Sequence, residues 1–331
     1  MHSALETNLA LDQAFLLGEP EAAFAGAALV VEQAFAFSRQ TGVTLEPRGI
    51  LAEWDPSLEE LRVRQSHQAP FQSREIFATQ LGLAPDQVRV TAPDVGGAFG
   101  LKLHAYADEM AVVALAMRLD RPVTFAADRL ESFAADAHAR ETEATARLAV
   151  DAEGRILGFE VEMLAGFGAY SVYPRGSVGE ALQAVSMIGA PYAFEHFRGR
   201  VRGAQQNKAP TGAYRGVGQP IACVVTEQLM DLAAARLGLS PEEIRRRNLL
   251  GEACAISPLG LRLEPLSTAE CLARLETLAE IPARRAEHAR LRAGGDPRPR
   301  RRLLRRDDRR RLPPLRPARR GGGRPGSRAP D

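Results

Sequence analysis

"VTAPDVGGAFGLK", Val90 to Lys102, runs from a short β-like segment through a turn into two adjacent glycines and a third at Gly100. Glycines placed after a strand let backbone N–H groups approach a phosphate or another anion. Two common phosphate-binding patterns do not fit: there is no GxxxxGK[ST], and glycines at 96, 97 and 100 do not follow GxGxxG. On composition alone the stretch stays open between an anion cradle and a tight turn joining strand to helix. Its flanks indicate the fold class. "QVRVTAP" (87–93) reads as a strand entering the loop, and "ADEMAVVALAMRL" (107–119) as a helix after it. The strand "PVTFAAD" (122–128) follows.

Further out, "GILAEWD" (49–55) and "ELRVRQS" (60–66) predict a hairpin, and "FQSREIFATQLGL" (71–83) a helix. "TARLAVDAEGRILGFEVEM" (145–163) predicts a second hairpin turning at Asp151–Gly154. "IACVVTEQLMDLAAARLG" (221–238) predicts a long helix that Gly238 ends. In "SPEEIRRRN", Ser240 caps a helix, Pro241 takes its first position and Glu243 closes a capping box; Ser267 and Glu270 repeat the pattern. Hairpins mixed with long helices, without regular βα alternation, predict an α+β fold. Residues 1–25 read as a linker-like lead-in without strong periodicity, 26–280 as the folded domain and 281–331 as a tail.

The chain has 331 residues and a formal net charge of +2, which averages two unlike parts. Residues 281–331 hold 18 Arg, no Lys and 5 acids, a net charge near +13, which leaves the body near −11. The tail's charge, Pro and Gly predict disorder, and its abrupt onset suggests out-of-frame translation. Its arginines would bind phosphates electrostatically, but Tyr214 is the only aromatic residue after Phe197, so it offers no base-stacking platform; no specific nucleic-acid partner is expected. Cys223, Cys254 and Cys271 show no CxxC spacing, which fits a reducing compartment and argues against an iron–sulfur or zinc site in this chain. The N-terminus lacks a signal pattern, and no apolar run is long enough to span a membrane, so a cytoplasmic location is expected.

Five blocks, "LEPRG" (45–49), "QSHQAPF" (65–71), the glycine loop, "ADRLESF" (127–133) and "NKAPTGAYRGVGQP" (207–220), occur in one order. "EQLMDLAAARLGLSPEEIRRRNLL" (227–250) follows them. In this order the blocks resemble the molybdopterin-binding large subunit of the xanthine dehydrogenase, aldehyde oxidase and aerobic carbon monoxide dehydrogenase family, over roughly residues 10–280. The resemblance implies the first molybdenum-cofactor-binding domain and a molybdenum–molybdopterin cofactor, commonly the cytosine dinucleotide form in bacteria. It implies partner subunits carrying iron–sulfur clusters and FAD. It also implies oxidative hydroxylation of an aldehyde, an N-heterocycle or a related small substrate with oxygen from water. The metal is held by the pterin, so no direct protein ligand is expected.

Residue by residue, Gln68 matches the family glutamine that hydrogen-bonds an oxo ligand of molybdenum; an amide can donate N–H without adding charge. Gly97, Ala98, Phe99 and Gly100 match the "GGGFG" loop, whose backbone N–H groups approach the cofactor and whose Phe shapes the substrate funnel. Ala98 replaces a frequent glycine and would resist a positive φ. Arg215 matches the active-site-loop arginine, suited to orienting a carbonyl or carboxylate. Gly216 stands where the copper-bearing carbon monoxide dehydrogenases have Cys, so the pattern is form II-like. Glu46, Pro47 and Arg48 read as a structural Glu–Arg pair in a rigid turn, and Asp128, Arg129 and Glu131 as a salt-bridged turn. His67 and His138 read as packed or surface residues. The family's glutamate base, in a "GxGE"-type motif of a second cofactor domain, is not found after Pro220. Two expectations follow: a half-site that works with a complementary chain, or a catalytically inactive fragment.

Overall fold

The computed structural model describes residues 6–250, 255–256, 262–264 and 267–294. The chain divides into one unit of residues 1–270 and another of residues 271–331. The first begins with β1 (Leu9–Leu17), α1 (Pro20–Ala25), β2 (Leu29–Phe37) and the short β3 (Gln40–Thr41). The hairpin β4 (Gly49–Asp55) and β5 (Glu60–Gln65) leads to α2 (Pro70–Leu81), β6 (Val88–Thr91), α3 (Ala107–Leu119) and β7 (Val123–Ala126). Then come α4 (Arg129–Ala135), β8 (His138–Ala139), β9 (Thr142–Val150), β10 (Ile156–Gly168), α5 (Val178–Met187) and β11 (His196–Gln205). The unit closes with α6 (Gln219–Leu237), α7 (Pro241–Asn248), β12 (Ala255–Ile256) and β13 (Arg262–Leu263). α8 (Thr268–Leu278) and α9 (Ile281–Ala293) complete the described chain.

Two mixed sheets organise the unit, as the α+β expectation requires. One has the order β1-β11-β10-β9-β2, the other β6-β5-β4-β7. Each contains a single parallel pair, β10 with β11 and β5 with β6; its other neighbours are antiparallel. Parallel neighbours require a crossover. Helix α5 lies in the first crossover and α2 in the second. The larger core lies between one face of the five-stranded sheet and α5, α6 and α7. Phe159, Met163, Phe197 and Val201 from the strands meet Val185, Ile221, Leu229 and Ile244 from the helices. On α6 the buried positions Ile221, Ala222, Val225, Leu229, Met230 and Ala233 recur at helical spacing, which makes one stripe face the sheet. The smaller core joins Ile50, Leu61, Val63 and Val88 to Phe77, Val112 and Val113 on α2 and α3. Strand alternation at β5, where Leu61, Val63 and Gln65 are buried between exposed arginines, turns the apolar face onto these helices.

Several expectations need correction. Residues 9–17, in the lead-in read as aperiodic, form the edge strand β1, paired with β11 across the length of the sequence. Residues 281–293, placed in the disordered tail, form α9, while 295–331 lie outside the described residues. Ser240 does cap α7 by accepting the Glu243 N–H, but the Glu243 carboxylate turns to Arg246 and Arg247 instead of closing a box. At α4 the expected salt-bridged turn is a capping box: Asp128 accepts the Glu131 N–H and Glu131 accepts the Asp128 N–H. Arg129 donates instead to the carbonyls of Thr44 and Leu45.

Candidate active site

The carboxyl ends of the four parallel strands β5, β6, β10 and β11 supply the loops of the site. Ligands of open sheets bind beyond strand carboxyl ends for the same geometric reason: the loops there converge. Gln68 follows β5, Phe99 and Gly100 follow β6, Arg175 and Glu180 follow β10, and residues 212–217 follow β11. Together with Leu103, Gly176, Gly179 and Gln183 they line a cavity of about 600 Å³. The structure therefore brings Gln68, Phe99, Gly100 and Arg215 together. Gly97 and Ala98 are not on its lining.

The glycine loop is held from behind by Glu46. One oxygen of this carboxylate accepts from the Gly96 N–H at 2.7 Å, Ser66 Oγ at 2.6 Å and Lys102 Nζ at 2.8 Å. Burial works against the charge, but Lys102, Ser66 and the Gly96 N–H outweigh it and hold Glu46 down to about 2. Glu46 thus pairs with Lys102, not with Arg48. Arg48 is buried among Asp108, Glu109 and Asp136, with the Tyr106 ring 3.8 Å from its guanidinium carbon. Positive φ occurs at Gly97, Phe99 and Gly100 (+100°, +53° and +99°) and not at Ala98, so the alanine meets no steric objection. Phe99 occupies the left-handed region without being glycine, a conformation that persists where surrounding contacts enforce it. Its carbonyl accepts the Arg215 N–H at 2.9 Å, and its ring lies 6.0 Å from the Arg215 guanidinium. At Gly100 an added Cβ would stand 2.5 Å from the Ala213 carbonyl oxygen, so only glycine allows these two loops to meet.

Several polar groups of the cavity are held in one orientation. Gln68 Oε1 accepts the Gly100 N–H at 2.9 Å and Gln183 Oε1 accepts the Gly218 N–H at 2.8 Å. Both amide oxygens are tied to the backbone, so each side chain has its N–H₂ left to offer. The carbonyls of Tyr214, Arg215 and Val217 all turn to the buried Arg140, and that of Gly216 accepts the Gln219 N–H. Glu180 is taken by Arg140 through both its backbone N–H and its guanidinium. Burial pushes the Glu180 carboxyl up, and Arg140 opposes that shift. These acceptors are thus engaged within the protein, while the amide N–H₂ groups of Gln68 and Gln183 remain to be used. The glycine loop contributes fewer donors than expected, because the N–H groups of Gly96 and Gly100 are already bonded to Glu46 and Gln68.

Two buried histidines support these loops as neutral acceptors. His67 Nδ1 accepts the Ala69 N–H at 3.0 Å beside Gln68, and His104 Nε2 accepts the Ala213 N–H at 3.0 Å. Burial pulls both down to about 4, and for His104 the proximity of His67 adds to it. His138 Nε2 lies 3.1 Å from the Phe133 carbonyl, away from the cavity. Above about 6.5 both rings are neutral in folded and unfolded chains; as pH falls from there toward 4, only the unfolded chain takes up protons. Each ring then lowers stability by up to about 3 kcal/mol. Ring resonances in the native protein should stay on the neutral side down to pH near 4; a midpoint above 6 for either ring would contradict this.

Among the described residues no cluster of His, Cys, Asp and Glu could hold a metal ion, and no helix is long and apolar enough to cross a membrane. Sequence reasoning missed Arg140, Arg175, Glu180 and Gln183. Only the order of the loops after the parallel strands would have pointed to them.

Residues 1–249 match the molybdopterin cofactor-binding domain. The nicotine 6-hydroxylase large subunit of Paenarthrobacter nicotinovorans is 35% identical over 283 residues, covering 82% of this chain and 34% of that protein. The carbon monoxide dehydrogenase large chain of Hydrogenophaga pseudoflava is 29% identical over 283 residues, with coverage of 82% and 34%. The crystal structure of quinoline 2-oxidoreductase from Pseudomonas putida 86 superposes with a TM-score of 0.82 at 32% identity, covering 88% of this chain and 37% of that one. The chain thus spans about a third of the length of these relatives. Its domain match and its fold agree, and the chain belongs to the molybdopterin-binding large-subunit family of the molybdenum hydroxylases.

Proposed function

We propose that this chain forms one wall of the active site of a molybdenum hydroxylase that oxidatively hydroxylates an aldehyde, an N-heterocycle or a related small substrate. The cofactor is molybdopterin, in its cytosine dinucleotide form, and electrons leave through iron–sulfur and FAD subunits in the cytoplasm. The observation that carries this reading is the pair of amide donors that the cavity presents. Gln68 and Gln183 have their amide oxygens tied back and their N–H₂ groups free, which suits the oxo and phosphate oxygens of such a cofactor. The exposed side of Gly179, where an added Cβ would meet nothing within 4 Å, leaves room beside them.

When bound, the molybdenum group supplies the oxygen transfer and takes up the two electrons. The chain's own residues hold and orient. Gln68 donates an uncharged N–H, which binds an oxo group without the repulsion or neutralisation that a charged residue would bring. Arg215 directs a substrate carbonyl or carboxylate and balances developing negative charge. Phe99, half-exposed at 45%, gives the planar apolar wall.

Expression of the chain together with cofactor-synthesis proteins, followed by molybdenum and pterin assay, tests this. Wild type should retain both in near-equal amounts. Gln68→Ala should weaken retention roughly tenfold or more, as expected for loss of one charge-assisted hydrogen bond, with little change in melting temperature. A well-folded chain that carries no pterin would contradict the reading.

A further inference from the structure

Two guanidiniums enter this cavity without partners of their own. Arg175 and Arg215 both line it, both are exposed, and neither has a hydrogen bond or ion pair from its side chain among the described residues; Arg215 only faces the Phe99 ring. Elsewhere in the first unit, arginines are commonly paired: Arg39 with Glu141, Arg62 with Glu60, Arg147 with Glu160, Arg200 with Asp12. Within the cavity the one carboxylate, Glu180, is already neutralised by buried Arg140. The positive charge of the lining is therefore uncancelled, and the free amide donors of Gln68 and Gln183 add to it.

We propose that Arg175 and Arg215 together form an oxyanion subsite, so that the guest of this cavity carries a carboxylate or a phosphate-type group. The two stand on loops that leave the carboxyl ends of neighbouring parallel strands. Arg175 stands on the loop between β10 and α5, and Arg215 on the loop between β11 and α6. A guanidinium forms parallel N–H···O bonds to a carboxylate or phosphate, and two of them exclude a cationic guest by direct repulsion. Arg175 is then a specificity-determining residue, because it selects the charge of the guest and is not needed to hold the fold.

This rests on the cavity being the cofactor- and substrate-facing wall, but it can fail separately. Pterin content is measured on the same preparations, so retained cofactor with no anion preference sinks the subsite alone. The full 331-residue chain is titrated calorimetrically with benzoate, with its neutral isostere benzamide, and with inorganic pyrophosphate. The variants are Arg175→Gln, Arg215→Gln and, as a control on the exposed end of α3, Arg118→Gln. Benzoate should bind about tenfold tighter than benzamide, a preference that added salt reduces. Arg175→Gln should abolish that preference and leave benzamide binding unchanged, while Arg118→Gln changes nothing. Arg175-dependent binding of benzoate in cofactor-loaded protein assigns the oxyanion to a substrate. Arg175-dependent binding of pyrophosphate, lost when the cofactor is present, assigns it to the cofactor's phosphates. The proposal is overturned if neither anion's affinity changes in Arg175→Gln, or if benzamide binds as tightly as benzoate and pyrophosphate is indifferent to Arg175.

Discussion

Replacing Arg48 by methionine should cost the first unit about 3–5 kcal/mol and lower its melting temperature by roughly 10 °C, one of the two largest effects expected in this protein. The side chain is only 1% exposed, and its guanidinium makes four hydrogen bonds to three carboxylates. Nε donates to Asp136 at 2.6 Å, Nη1 to Asp108 at 2.8 Å and Glu109 at 3.1 Å, and Nη2 to the second Asp108 oxygen at 2.7 Å. Asp136 and Glu109 are each only 3% exposed, so removal of the cation leaves negative charge buried with nothing opposite. Methionine fills much of the volume, which separates lost charge from lost packing. Arg48→Lys should fall between, because one ammonium cannot span three carboxylates in this fork geometry. Acidity gives a second readout. Burial pushes Glu109 up from 4.5 to about 7, with Arg48 pulling the other way. A raised carboxyl stabilises the fold at low pH and loses that contribution as pH rises through its folded value. Without Arg48 the carboxyl rises further, so the variant should regain stability on acidification from pH 8 to 6. Denaturant curves for wild type and Arg48→Met that agree within about 1 kcal/mol would refute the assignment.

The same cluster shows what the sequence could and could not disclose. Hairpins, α2, α3 and α6 were legible because burial on one face imposes periods of two or about 3.6 residues, and those periods survive in composition. Arg48 lies 60, 61 and 88 residues from its partners, and no local pattern links them. Its neighbour Glu46 looked like the obvious partner but serves Lys102, whose ammonium is fully buried. Strand β1 escaped because an edge strand, exposed on most of its residues, carries little alternation. At the site, Gln68, Phe99, Gly100 and Arg215 were legible through motif order, and the structure places all four on one cavity. Ala98 looked like a conformational problem only while the location of positive φ was unknown; the backbone puts it on either side. Arg140, Arg175 and Gln183 sit in stretches with no distinctive composition, and their importance arises only from tertiary convergence.

Arg140 should be the second critical arginine, and here stability and site geometry are linked. It is buried, sits at φ +71°, and makes contacts to one carboxylate and three carbonyls. The carbonyls of Tyr214, Arg215 and Val217 belong to the loop that presents Arg215, and Val217 itself is held at φ +50°, unfavourable for a β-branched residue. Arg140→Met should cost about 3–5 kcal/mol, since it leaves Glu180, only 11% exposed, without its cation. Glu180→Gln keeps the shape and removes the charge, so in the double variant the two changes should be strongly non-additive, with a coupling of about 1–3 kcal/mol. A purely structural ion pair would stop there. A loop brace predicts more: faster hydrogen exchange confined first to residues 214–219, and weaker pterin retention in Arg140→Lys even where its melting temperature is close to that of wild type. Lysine can still neutralise Glu180 but cannot also hold three carbonyls, so charge and positioning separate in that one substitution. If Arg140→Lys exchanges at 214–219 as slowly as wild type and retains pterin equally, Arg140 stabilises the fold without positioning Arg215.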